Sequence, residues 1–241
     1  MMCRPLFRAS SLAVFALAAT AFAGDAKPAK DGWSSYGVGT TVTMKSTTKM
    51  TMAMEGAPAM PEQVTESRIT LTALTEKEYT LKSEAKVGEE WMGQDVKVPR
   101  AATGDVKPPE GAKVEELGDE SVTVDGTAVA CKKQKMTLAD NVTTTWTSEK
   151  HGVVKSEWKG AASEGSSVLT KLSKKVTVAG KEVDCREMTT TSKAAGSETT
   201  MVMLQSEQVP GLTVRMESTT KMPQAQMTTT SVTEVVSFEI K

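Results

Sequence analysis

An all-β fold, one large curved antiparallel sheet built from repeated hairpin units, is what this sequence predicts. Three observations predict it. Apolar residues recur at every second position, Thr and Val dominate the stretches where they do so, and short blocks of sequence return at fixed offsets. Successive side chains of a strand point to opposite faces, so a two-residue period marks a sheet with one drier face. β-Branched residues suit a pleated surface. Parallel pairing would need crossover helices, and no long helical period appears after the first 23 residues, so the sheet should be an antiparallel half-barrel or barrel.

The elements follow in chain order. Residues 1–23 read as a signal peptide: Arg4 and Arg8 precede the apolar run Leu12 to Ala19, and Ala21-Phe22-Ala23 offers a cut before Gly24. The run is too short for a stable membrane span, and no later run is long enough, so the mature chain is expected to lack a transmembrane segment. Export to the periplasm or the extracellular space is the expectation. Residues 24–32 form a flexible lead-in. Residues 33–98 form a first, incomplete β-repeat. Within it, Val42, Met44, Ser46, Thr48, Met50, Met52 and Met54 share one parity, with Thr and Lys on the other. A straight strand of thirteen residues would run about 43 Å, well beyond the usual length, so it bends or the sheet is tall. Ile69, Leu71 and Ala73, then Tyr79 and Leu81, alternate next. Pro99, Gly104, Pro108, Pro109, Gly111 and Gly118 crowd residues 99–119, which read as a linker or loop. Residues 120–174 form a β-repeat, with Val122 and Val124 before an Asp125-Gly126 hairpin signal, followed by alternation around Trp146, Trp158 and Leu172. Residues 175–241 form another, through Val176, Val178, Val202, Leu204, Phe238 and Ile240.

Self-similarity supports the repeat units. Val122-Thr123-Val124-Asp125-Gly126-Thr127-Ala128-Val129-Ala130-Cys131 returns as Val176-Thr177-Val178-Ala179-Gly180-Lys181-Glu182-Val183-Asp184-Cys185. Downstream, Ser148-Glu149 before His151-Gly152 matches Ser206-Glu207 before Pro210-Gly211. Gly39 to Met50 aligns with Gly211 to Met222, identical at nine of twelve positions. The pattern Val-x-Val-x-Gly-x-x-Val-x-Cys, an apolar strand, then Ser-Glu-x-x-x-Pro-Gly and another strand resembles secreted bacterial β-repeat proteins. These are similar to the lipoprotein-localisation (LolA/LolB-like) open β-barrels. The resemblance implies a curved antiparallel sheet that holds acyl chains in its concave face.

The chemistry is sparse. With 29 basic and 30 acidic residues the chain is near neutral, which excludes the basic excess that nucleic-acid binding requires. Aromatics are 4% of the chain and there are 15 methionines, so Met must supply part of the apolar volume. Met44, Met50, Met52, Met54, Met216 and Met222 fit three roles: adaptable core filler, a pliable apolar surface for a lipid-like ligand, or, for Met50, Met52 and Met54, a set of soft thioethers for Cu(I). Position for position, Gln224 and Gln226 stand where the first strand has Met52 and Met54.

Cys131 and Cys185 occupy equivalent repeat positions. An oxidising compartment favours a disulfide between them. Four-strand repeats would separate them by about 19 Å across a flat sheet, against a limit of about 7 Å. Both outcomes stand at this point; a bond would close about 54 residues and contribute roughly 4 kcal/mol. His151, the single histidine, is a turn residue by its repeat counterpart Pro210. No nucleophile elbow, phosphate loop or dinucleotide fingerprint is present. The expectation is a non-catalytic protein without a cofactor that binds or carries an apolar or lipid-like molecule on its methionine face. The alternatives are a Cu(I)-binding protein and a structural or interaction module.

Overall fold

The computed structural model describes residues 32–53, 60–100 and 108–241; Met54 lies outside them. Strands β1 (Thr41–Met52), β2 (Gln63–Leu74), β3 (Glu78–Val87) and β4 (Glu90–Pro99) come from the first region. They are followed by β5 (Lys113–Val124), β6 (Thr127–Leu138), β7 (Asn141–Ser148), β8 (Gly152–Lys159), β9 (Ser163–Val178), β10 (Lys181–Ala194), β11 (Ser197–Gln205), β12 (Thr213–Met222) and β13 (Met227–Glu239). A 3-10 turn, Pro223–Ala225, links β12 to β13.

All thirteen strands form one sheet in the order β4-β3-β2-β1-β13-β12-β11-β10-β9-β8-β7-β6-β5. Every paired neighbour is antiparallel, as expected from the missing crossovers. Consecutive strands pair, except for β4 and β5, and β1 also joins β13. The first and last strands therefore meet inside the sheet, while β4 and β5, consecutive in sequence, are its two free edges. The sheet is open, not a closed barrel.

Two boundaries differ from those drawn on composition. β5 starts at Lys113, so the stretch 113–119 is strand, with Gly118 at a register shift and at φ +85°. A bulge tolerates the glycine that otherwise signals a break. The cut between residues 174 and 175 falls inside β9, a continuous strand of 16 residues.

Curvature centres on β9. In sheet order β13 and β5 each lie four strands from it, about 19 Å away if the sheet were flat, yet both come into contact with β9. The sheet thus rolls toward β9 from both sides, and each roll encloses a small core. In one, Val178, Val183 and Cys185 meet Val42, Leu71, Tyr79, Val214 and Val235, with Trp33 and Val209 closing the end. In the other, Leu169 packs with Val124, Val129, Cys131, Trp146 and Val154. Register shifts near Thr43, Leu71, Trp146 and Leu204 lie at this end of the sheet and supply the bend.

The two cores use equivalent repeat residues. Val124, Val129 and Cys131 in one correspond to Val178, Val183 and Cys185 in the other, all under 7% exposed. Both hairpins turn through two residues at positive φ, Asp125-Gly126 and Ala179-Gly180, the type I′ geometry whose twist suits a two-residue hairpin. The match between the two ends of the chain is structural too: Gly39 and Gly211 both take positive φ, and Val42 and Val214, three residues on, are both buried.

At the β4 edge, Glu84 of β3 is buried between Arg68 (2.8 Å) and Lys82 (2.9 Å). The Arg68 guanidinium also stacks on Trp91. Hydrogen bonds from Lys82, then Arg68, hold the Glu84 carboxyl below its ordinary value of 4.5, against the opposing effect of burial. Across the strand sits Gly93, where a Cβ would fall 2.1 Å from the Ser83 carbonyl oxygen.

Two outcomes follow from this packing. Leu71 is fully buried, so Leu71→Ala should lower the free energy of unfolding in denaturant titration by about 2–5 kcal/mol, as cavity-forming truncations do. Glu84, its folded pKa depressed, adds stability above pH 4.5 that drains away as pH falls below that value. Thermal melts should therefore find Glu84→Gln less stable than the parent at pH 6, the two converging on acidification; a constant gap would contradict the ion-pair account.

Candidate functional site

β1 pairs with β2 from Thr41 to Thr48 without a shift, and with β13 from Met44 to Met52 without a shift. Its alternation is therefore unbroken, and Val42, Met44, Ser46, Thr48, Met50 and Met52 share a face. Residues directly opposite on neighbouring strands point the same way. Met216 lies opposite Thr233, which lies opposite Ser46, and Met222 lies opposite Met227, which lies opposite Met52. Met44, Met50, Met52, Met216 and Met222 thus occupy one face of the sheet. Met44 packs on the core beside β9.

Register assembles two methionine rows on that face. Met188, Met203 and Met216 stand side by side on β10, β11 and β12. Met222, Met227 and Met52 stand side by side on β12, β13 and β1. Met216 and Met222 are six residues apart along β12, so the rows are about 20 Å from each other. Periodicity along one strand gives the parity of Met188, Met203 and Met227, but their partners come from cross-strand pairing, which no local pattern encodes.

Beside and between the rows the same face carries hydroxyls that bond one another: Ser46 to Thr233 (2.6 Å) in line with Met216, and Thr48 to Ser231 (3.3 Å), Thr190 to Ser167 (3.0 Å) and Thr199 to Thr220 (3.0 Å) farther along. A hydroxyl satisfied by its neighbour presents its methyl or methylene outward at reduced desolvation cost. Trp158 belongs to this face as well. Its indole lies over Gly165 of β9, where a Cβ would come within 2.5 Å of the ring.

A cleft of about 640 Å3 crosses β7 to β11, and the predicted methionines do not line it. Its lining comprises two rows of the opposite face and, between them, the row Trp158, Gly165, Ser192 and Thr199. One is Thr144, Glu157, Ser166, Thr191 and Thr200. The other is Val142, Lys159, Glu164, Lys193 and Glu198, continued by Lys221. From Lys159 to Lys221 the charges alternate strand by strand, so they compensate each other. The Lys193–Glu198 pair closes at 2.9 Å, and the contact holds the lysine pKa up and the glutamate pKa down. Such a surface offers hydroxyls and neutralised charge to solvent.

Cys131 and Cys185 are free thiols. The disulfide considered for them is not formed: β6 and β10 are four strands apart, and each cysteine is sealed into a different core. Burial pushes both thiols above their ordinary value, which suppresses the reactive thiolate. His151 sits in the β7–β8 turn, where its carbonyl accepts a bond from Arg186 (3.2 Å). Burial, then Lys150 and Arg186, lowers its pKa. Among the described residues no three His, Cys, Asp or Glu side chains cluster as metal ligands, and no helix is long and apolar enough to cross a membrane.

No family model matches the chain, and no curated protein matches it. Among solved structures, the crystal structure of a putative thioesterase II from Thermobifida fusca YX aligns over 81% of this chain and 78% of its own, at 7% identity and a TM-score of 0.18. A likeness at that level carries no argument about fold or activity.

Because both thiols are buried and protonated, peptide-mapped alkylation of the native, unreduced protein at pH 7 should leave Cys131 and Cys185 unmodified. Adding denaturant without reductant should expose both. Recovery of a Cys131–Cys185 cross-linked peptide would contradict the assigned thiols.

Proposed function

We propose that this is a non-catalytic protein that binds an apolar, lipid-like molecule on the methionine face of its sheet, acting outside the cytoplasm after loss of residues 1–23. The observation that supports this most is the pair of methionine rows, Met188-Met203-Met216 and Met222-Met227-Met52, set on one face. Methionine is unbranched and pliable, so a surface built from it adapts to chains of different shape. The self-bonded hydroxyls between the rows limit the desolvation that an apolar ligand would otherwise impose.

Each methylene taken out of water is worth about 0.8 kcal/mol, and that gain has to exceed the cost of ordering the ligand on the sheet, so affinity grows with chain length.

Displacement of a fluorescent fatty-acid probe by saturated fatty acids of increasing length tests the proposal. Affinity should rise about fourfold per added methylene, the equivalent of 0.8 kcal/mol. The variant Met188→Ser, Met203→Ser, Met216→Ser should weaken binding of every chain length. An affinity independent of chain length, or unchanged in the variant, would rule the proposal out.

A further inference from the structure

We propose that Met52, Met222 and Met227 form a Cu(I) site at the end of the sheet remote from the core. Three thioethers face the same side of three adjacent strands, with Met227 directly opposite both Met222 and Met52. The outer two are two strand spacings apart, about 10 Å between backbones, a gap that two long side chains with three rotatable bonds each can close above the middle one.

The backbone under the three residues is fixed. Met222 and Met227 flank the tight Pro223–Ala225 turn, whose last step is Gln226 in the left-handed region at φ 48°. The Gln226 carbonyl accepts the Ala53 N–H at 2.8 Å, which ties the end of β1 to this turn and sets Met52 beside it. Met52 is 40% exposed, and Met222 and Met227 are half-buried. An ion can therefore reach the sulfurs from solvent.

The donor set selects the metal. Thioether sulfur is soft and uncharged, which suits Cu(I) and leaves Zn(II), Mg(II) and Ca(II) without the harder or anionic ligands they need. The other methionine row is less suited. Met203 Sδ there already accepts contacts from the Gln205 amide (3.7 Å) and the Thr213 hydroxyl (3.9 Å). A site confined to β1, made of Met50, Met52 and Met54, would leave Met222 and Met227 with no part in binding. The three-strand site shares the Met222-Met227-Met52 row with the apolar-ligand proposal, but it is read with Cu(I) and not with a fatty-acid probe, so either can fail without the other.

Anaerobic titration of the purified protein with Cu(I), in competition with a chromophoric Cu(I) chelator, tests it. One equivalent should bind. The variant Met52→Leu, Met222→Leu, Met227→Leu, which conserves side-chain volume, should lose that binding while its far-UV circular dichroism stays that of the parent. Met52→Leu alone, at an exposed position, should already weaken it. The variants Met50→Leu, Met54→Leu and Met188→Leu, Met203→Leu, Met216→Leu should bind as the parent does. Retention of Cu(I) by the first variant would place the metal on Cys131, Cys185 or other methionines and overturn the proposal. So would loss of Cu(I) in the Met50, Met54 variant.

Discussion

Cross-strand register is the constraint on which everything else in this protein rests. Among the described residues the sheet is a single layer with no second sheet or helix packed on it, so the pairing of each strand with its neighbours chooses which side chains meet. The junction of β1 with β13 is decisive, because it joins segments from opposite ends of the chain through twelve paired positions. A slip of one residue there would send Met44, Met50 and Met52 to the charged face and bring Lys45 and Lys49 to the methionine face. The irregularity near Thr43 and the hydrogen bond from Ala53 to Gln226 bracket that junction at its two ends and leave one register that satisfies both.

Such a sheet has to be stabilised with little core. The two buried clusters gather at one end and lie to either side of β9. The remaining length of the strands is held by backbone ladders, hydroxyl pairs and alternating charges. Each exposed ion pair contributes little, at most about 1 kcal/mol. The rows from Lys159 to Lys221 and from Arg215 through Glu234, Lys45 and Glu66 to Lys86 matter more for specificity. A register shift would pull these opposite charges apart and lose every match along the row. The open edges are managed in a similar way: β4 ends at Pro99 and β5 carries the Gly118 irregularity, both of which discourage a further strand from pairing.

Much of this architecture was legible in the residues. The two-residue period of Val42 to Met52, the Asp125-Gly126 turn and the return of the Val-x-Val-x-Gly-x-x-Val-x-Cys block follow from local geometry, and local geometry is what a sequence displays. Gly118 and the prolines around it misled for an identifiable reason: the residues that break an interior strand are the same ones that make an edge strand safe. The strand β4 carries Gly93 in its middle, where the Ser83 carbonyl and the Glu84 backbone and side-chain carbons occupy the space a side chain would take, so its alternation is interrupted where packing demands it. The methionine rows were not legible. Met188, Met203 and Met216 lie on three different strands, and their adjacency is a property of pairing between strands, not of spacing along any one of them.

That distinction bears on how the repeat should be understood. Duplication of a hairpin unit reproduces buried residues faithfully, because each copy must enclose its own core: Val124, Val129 and Cys131 recur as Val178, Val183 and Cys185. The open half of the strands escapes that demand, and there the copies diverge. Met188, Met201 and Met203 on β10 and β11 correspond to Gln134, Thr143 and Thr145 on β6 and β7. A feature retained by the core requirement would appear in every copy. The methionines concentrate instead on the strands from β10 to β1, which marks them as an addition to the scaffold. Of these methionines Met44 packs on a core, while the others lie along the open half of the strands, where enclosing a core sets no requirement on the side chain.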